Sequence, residues 1–169
     1  MGEGPPFVVR EARGDELDAA GAVVAAAYEA DYGGHHDGYL AEIRDARSRA
    51  VACPILVAVD GDGRIVGGVT YVPDHENPWA ETEREGEAGF RMLGVDPAVR
   101  GRGIGEALVR ACVTRARADG RRGLAITSST EMLAAHRLYE RLGFARDPAR
   151  DFDPVPGVHL WTFVMAVDG

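Results

Sequence analysis

The stretch from Met92 to Gly105 limits the possible folds more than any other part of the chain. Met92-Leu93-Gly94-Val95 reads as an apolar strand that Asp96-Pro97 ends, and Arg100-Gly101-Arg102-Gly103-Ile104-Gly105 leads into a helical pattern running to Asp119. Ile104, Leu108, Ala111 and Cys112 fall on one face of that helix. A strand, a glycine-rich turn and a helix N-terminus together suit a diphosphate. The first N–H groups of a helix are unpaired and its N-terminus carries partial positive charge. Glycine at 101, 103 and 105 removes side chains that would block approach, and Arg100 and Arg102 add cations. The alternative is a surface turn that uses glycine only for its dihedral freedom. Three alternating glycines with two arginines at a strand-to-helix junction favour the anion site. A dinucleotide fingerprint would need glycine where Glu106 stands, and a P-loop needs a lysine that the chain lacks.

The other compositional limits are few. The 169 residues suit a single domain, 1–169, and no apolar run approaches the ~20 residues of a membrane span. Met1–Pro6 shows no basic cluster leading into an apolar stretch, so no signal peptide is read and a cytoplasmic location is expected. The net charge is −8 and every basic side chain except histidine is arginine, so non-specific nucleic-acid binding is not expected. Cys53 and Cys112 form no CxxC and read as buried thiols. His35-His36 with Asp37 has no evident third ligand, so no metal is expected.

Hydrophobic periodicity gives an α/β (α+β mixed) chain. Strands are expected at 7–10, 55–59, 64–71, 87–95, 124–127 and 159–167, with a further strand around 144–152. Helices are expected at 15–29 with Asp15 as N-cap, at 39–50, at 103–119, and from a Ser128/Glu131 capping box to Leu142, where Gly143 stops it. Asp60-Gly61-Asp62-Gly63 reads as a hairpin turn. Residues 73–86 read as a polar, solvated loop.

Arg100-x-x-Gly103-x-Gly105 resembles the R/Q-x-x-G-x-G/A acetyl-CoA signature of the GNAT superfamily of N-acetyltransferases. Met92-Leu93-Gly94-Val95-Asp96-Pro97 is similar to that family's pantetheine-binding strand. Ala135-His136-Arg137-Leu138-Tyr139-Glu140-Arg141-Leu142-Gly143-Phe144 resembles its A-x-x-L-Y-x-x-x-G-F segment. The three blocks occur in family order over nearly the whole chain. The resemblance implies the GNAT acyl-CoA N-acyltransferase fold, a central mixed sheet flanked by about four helices. It also implies acetyl transfer from acetyl-CoA to a primary amine of a small molecule or a protein, through a ternary complex and without metal.

Residue by residue, the resemblance puts Met92, Leu93 and Val95 on the pantetheine arm, with the Leu93 N–H donating to the acetyl carbonyl. It puts backbone N–H groups of Arg100, Gly101, Arg102, Gly103, Ile104 and Gly105 on the diphosphate. Tyr139 matches the tyrosine that protonates the departing CoA thiolate; periodicity alone reads it as a core residue at i, i+3 from Leu142. Many members carry Asn seven residues before that tyrosine. Here the position is Met132, which can pack on the pantetheine but cannot make those hydrogen bonds. Some relatives carry Glu four residues before Leu93, where this chain has Gly89. Glu87, two residues earlier, is therefore the first candidate base, with His75 and Glu76 next and a solvated glutamate as the plain alternative. Trp79 and loop 81–87 are candidates to line the acceptor site, whereas Trp161 and Phe163 read as core or dimer contacts. The resemblance is compatible with a homodimer. Two other readings use the same fold: a non-catalytic acyl-CoA-binding module, and a toxin acting on aminoacyl-tRNA, which the acidic balance disfavours.

Overall fold

The Asp/Gly turn at 60–63 makes the hairpin its composition predicts. In the computed structural model, which describes residues 6–32 and 37–167, β2 (Ile55–Asp60) and β3 (Ile65–Val72) pair antiparallel. Gly63 takes φ 81, and one carboxylate oxygen of Asp60 accepts from the N–H groups of Asp62 and Arg64. β1 (Phe7–Glu11) flanks β2 antiparallel. The described residues form two compact units.

The first unit covers residues up to 71 together with 92–111. Its strand order is β1-β2-β3 followed by the last residues of β4 (Glu87–Val95). Helices α1 (Leu17–Tyr32), α2 (Asp37–Arg44) and α3 (Ala46–Ala50) precede the hairpin, and α4 (Ile104–Ala118) begins here. Two adjacent glycines allow helices close to both faces of β3. A Cβ on Gly67 would lie 3.0 Å from Ile104 Cγ2 and 3.1 Å from Leu108 Cδ1 of α4, whereas one on Gly68 would lie 3.1 Å from Val24 Cγ2 of α1. Ala20, Ile55, Val57, Val59 and Ile65 form the buried cluster beneath α1.

The helix expected over 39–50 is two helices. Arg49, only 2% exposed, turns its guanidinium back onto the carbonyls of Glu42 (2.5 Å) and Ile43 (2.9 Å) and donates to Thr70 Oγ1 (3.0 Å). A cation on the last carbonyls terminates α2. Asp45 then starts α3 by accepting from the N–H of Ser48 at 3.1 Å. The expected Asp15 N-cap is also corrected. Gly14–Glu16 is a 3-10 turn, and Glu16 accepts from the N–H of Arg13 (2.8 Å) and from Arg10 (2.7 and 2.8 Å).

α1 and α2 touch through Gly21, where an added Cβ would overlap the carbonyl of Arg44. Because the obstacle is backbone, Gly21→Ala is expected to destabilise the protein by roughly 1–3 kcal/mol. That outweighs the ~1 kcal/mol gained in helix propensity. Denaturant unfolding checks it, and a more stable variant would contradict the packing.

The second unit covers residues 72–91 and 112 onwards, with strand order β4-β5-β8-β6 and β7 on β8. β4 runs parallel to β5 (Gly123–Ser129), with register at Glu87↔Gly123 and Ala88↔Leu124. β5 pairs antiparallel with β8 (Val158–Ala166) from Gly123↔Ala166 to Ser129↔Leu160. β6 (Ala145–Arg146) and β7 (Phe152–Val155) resolve the strand expected around 144–152 into two, separated by a 3-10 turn at Pro148–Arg150.

α5 (Leu133–Leu142) ends at Gly143, φ 105, as expected. Its start differs. Ser128 is a buried member of β5, and Met132 is the N-cap without a side-chain bond, so the Ser128/Glu131 box does not form. The β5–β8 ladder holds the backbone of Ser128 in the sheet. Its hydroxyl lies 3.2 Å from His136 Nε2. Five helices therefore accompany the eight strands among the described residues, and none is long and apolar enough to cross a membrane.

Candidate active site

In the first unit the end of β4 delivers Leu93 and Val95, and Met92 before them holds φ 55. It is the only non-glycine residue at positive φ among the described residues, and its side chain is 4% exposed. A left-handed residue inside a strand is sparsely populated and persists where the surroundings over-determine it, which is common at ligand sites. It re-aims the backbone just before the Leu93 N–H, the candidate oxyanion donor. Gly94 brings β4 against α1, since a Cβ there would lie 3.0 Å from Val24 Cα and 3.1 Å from Ala27 Cβ.

The chain turns through Pro97–Val99 into α4. Gly101 and Gly103 take φ 81 and φ 79, and among the described residues no atom beyond the chain neighbours lies within 4 Å of a Cβ built on either. The loop is left-handed at alternate residues and its outer side is open, as a backbone cradle for an anion requires. Gly103 accepts from the N–H of Ala107 at 3.0 Å, so α4 starts directly after it with Ile104 and Gly105 in its first turn. Arg102 is exposed and forms no ion pair among the described residues. Arg100 departs from expectation, because its guanidinium is bound to Asp31 at the end of α1. Asp31 partly neutralises the charge assigned to phosphate.

In the second unit α5 carries Tyr139, 4% exposed. Its ring centroid lies 5.8 Å from Phe90, 5.8 Å from Phe144 and 5.7 Å from Phe163. The core packing read from periodicity and the motif tyrosine are thus one residue, its ring fixed by three aromatic neighbours. His136, one turn earlier, is stacked on Trp161 at 5.4 Å, and its Nε2 lies 3.0 Å from the Ser129 carbonyl. Burial lowers its pKa below the ordinary histidine value. Met132 is half-buried at the α5 N-cap.

Glu87, the first candidate base, is engaged elsewhere. Its carboxylate accepts from both terminal nitrogens of Arg150 (2.6 and 3.1 Å) and from the Arg84 N–H (2.7 Å). Burial pushes its carboxyl up, but the bonds from Arg150 and Arg84 outweigh that and hold it below the ordinary glutamate value. A carboxylate stabilised as the anion by a guanidinium is a weak proton acceptor, so the geometry gives Glu87 a structural part. His75 and Glu76 lie 3.8 Å apart on the surface. Cys53 and Cys112 are buried free thiols, and burial pushes Cys112 far above the ordinary thiol value. His35 and His36 lie outside the described residues.

The polar loop at 73–86 is tied down by contacts among the described residues. Trp79 is half-buried, with the Arg91 guanidinium 5.7 Å from its ring centroid. Glu81 pairs with Arg91 (3.1 Å) and accepts from Thr127 Oγ1 (2.8 Å), and Arg150 donates to the Thr82 carbonyl (3.1 Å). These contacts bring in Glu83, a member of loop 81–87 that the sequence did not single out among the candidate bases. Its carboxylate accepts from the Glu81 N–H at 2.5 Å and lies against Gly89, where a Cβ would sit 2.9 Å from Glu83 Cδ and 2.5 Å from the Ala125 carbonyl oxygen. The sequence signal was the glycine at 89, a small residue in an otherwise apolar strand.

This arrangement is that of an acyl-CoA N-acyltransferase fold. A GNAT acetyltransferase from Staphylococcus aureus Mu50 superposes with a TM-score of 0.74 at 12% identity, covering 96% of this chain and 99% of that one. A GCN5-related N-acetyltransferase from Kribbella flavida gives 0.69 at 24% identity, covering 95% and 98%. A Brucella melitensis GNAT protein in complex with acetyl-CoA gives 0.66 at 23%, covering 96% and 89%.

The chain belongs to the Acetyltransferase (GNAT) family, whose profile matches residues 22–144. Among relatives, a mycothiol acetyltransferase of Salinispora tropica is 40% identical over 98 residues, 56% of this chain and 30% of that protein. An L-methionine sulfoximine/L-methionine sulfone acetyltransferase of Pseudomonas paraeruginosa is 34% identical over 105 residues, 59% of this chain and 55% of that protein. The matched region thus spans under a third of the one relative and about half of the other.

Proposed function

We propose that the protein transfers the acetyl group of acetyl-CoA to a primary amine of a small molecule or a protein by direct attack in a ternary complex. The observation that carries this reading is the open, left-handed Gly101/Gly103 turn at the N-terminus of α4, a backbone cradle for the donor's diphosphate. Acetyl-CoA supplies an activated thioester. The chain's own groups hold and polarise it. Backbone N–H groups from Arg100 to Gly105 bind the diphosphate, Met92, Val95 and Met132 pack on the pantetheine, and the Leu93 N–H donates to the acetyl carbonyl. The Tyr139 hydroxyl delivers a proton to the departing thiolate. The relatives named mycothiol acetyltransferase and L-methionine sulfoximine/L-methionine sulfone acetyltransferase are acetyltransferases by name, and the Brucella protein is in complex with acetyl-CoA, which supports the donor assignment.

Thiol release from acetyl-CoA is measured with a panel of amines that includes L-methionine sulfoximine and a lysine peptide. Wild type is expected to release CoA with at least one acceptor. Tyr139→Phe, which keeps the aromatic packing, is expected to lower kcat about 100-fold with acetyl-CoA affinity unchanged. Acetyl-CoA binding without thiol release from any amine would favour the non-catalytic module instead.

A further inference from the structure

We propose that Glu83, whose carboxylate lies over the Cα of Gly89 in β4, is the general base that takes the proton from the acceptor amine. This rests on the transfer reaction proposed above. Three observations on the second unit point to it. First, the Glu83 carboxylate lies directly against Gly89. A Cβ there would overlap both Glu83 Oε1 and the backbone carbonyl of Ala125, so glycine at this position leaves room for the carboxylate. Gly89 and Leu93 share β4, so the loop brings this carboxylate onto the strand that carries the candidate oxyanion donor.

Second, the bonds that could hold the loop do not use Glu83 as an ion-pair partner. Arg91 pairs with Glu81, Arg150 with Glu87 and Asp147, and Arg122 donates to the Glu85 carbonyl. No described side chain donates to Glu83, whose bonds come from backbone N–H groups of Glu81 and of Glu83 itself. Third, the charges around it make a proton acceptor matched to neutral pH. Burial raises the carboxyl to about 7; Glu81 of the same loop adds to this, and Arg91 of β4 and the backbone bonds oppose it. A buried carboxylate without an ion-pair partner weakens the fold when charged, and a perturbed group of this kind is characteristic of acid–base sites.

The proton balance is complete. Glu83 accepts one proton from the acceptor ammonium and passes it to water. The free amine attacks the thioester carbon, the C–N bond forms and the C–S bond breaks. The nitrogen loses its second proton to solvent, and the thiolate takes one from Tyr139, which solvent restores. One proton is released per turnover.

The test is Glu83→Gln, read in three ways on the full chain. In wild type, kcat/KM is expected to fall on the acid side with an apparent pKa near 7. The variant is expected to lose about 100-fold in kcat/KM and that acid limb, with acetyl-CoA affinity unchanged by calorimetry. Because the folded carboxyl is raised from 4.5 to about 7, its contribution to stability is complete below about pH 4.5 and is lost as pH rises through 7. Glu83→Gln should therefore melt close to wild type at pH 5 and above it at pH 8, which checks the raised carboxyl, whereas loss of the acid limb of kcat/KM is the readout that a residue needed only for structure would not move. A variant within threefold of wild type that keeps the acid limb would overturn the assignment to Glu83 while leaving the transferase reading intact. A wild type that binds acetyl-CoA but acetylates no amine overturns both.

Discussion

Gly103→Val is expected to weaken acetyl-CoA binding by at least about 1000-fold in calorimetry while the protein stays folded. At φ 79, valine must adopt a left-handed backbone that costs on the order of 1–3 kcal/mol for a β-branched residue. That strain is relieved by moving the loop, which withdraws the N–H groups around residues 101–105. Among the described residues a Cβ at 103 meets no atom beyond its chain neighbours within 4 Å, so the substitution does not disturb the core; it fills space on the side from which an anion would approach. Gly120 at the other end of α4 is a matched control, with φ 73 and nothing within 4 Å of its Cβ. Gly120→Val should carry similar strain and lower the melting temperature by a similar amount, yet bind acetyl-CoA as wild type does. Equal affinity in the Gly103 variant and wild type would remove the cofactor from this turn.

Glu87→Ala is expected to cost roughly 3 kcal/mol of stability in denaturant unfolding. The side chains of Glu87 and Arg150 are 11% and 10% exposed, so removing the carboxylate leaves a poorly hydrated guanidinium with Asp147 at 2.9 Å as its remaining ion-pair partner. The same pair predicts a pH response. The carboxyl is held below its ordinary value of 4.5 in the fold, so its stabilisation is present above that pH and is lost as pH falls through the lower folded value. Asp151, held down by Arg146, adds to the loss on the same side. Glu87→Gln should therefore flatten the acid limb of the stability curve and leave its alkaline side unchanged. An unaltered acid limb would mean that the pair contributes nothing net.

The glycine signal, the strand bounds Glu87–Val95 and the stop at Gly143 were legible because each is written locally. Alternating apolar residues, a Pro, and glycines at positive φ are short-range facts. What escaped depends on contacts distant in sequence. Asp31 takes up Arg100 from 69 positions away, so an arginine that reads as a phosphate ligand has another partner. Arg49 breaks the second helix by folding back onto its carbonyls. The Ser128/Glu131 pattern is a good helix start in isolation and loses to the ladder with β8. Polar residues at 73–86 read as solvated because nothing in their composition shows that Thr127, Arg91 and Arg150 hold them down. Glu87 and Glu83 are both glutamates near one strand, and only their partners separate a guanidinium-bound carboxylate from one beside a glycine. Met92 has no sequence signal at all, since a methionine at φ 55 is a conformation its own side chain disfavours.

The side-chain clamps on the loop around Glu83 include the guanidinium groups of Arg91, Arg122 and Arg150, and the chain contains no lysine anywhere. An ammonium in those places would be a titratable group, and wherever burial drew off its proton it would become an amine open to acylation by any thioester close by. A guanidinium keeps its charge at every pH at which the protein is folded, and it does not compete as a nucleophile. The scaffold of such a site is then inert towards its own reagent. The 169 residues offer no lysine amine to compete with the acceptor, so labelling with radioactive acetyl-CoA would report acceptor turnover with no lysine background from them.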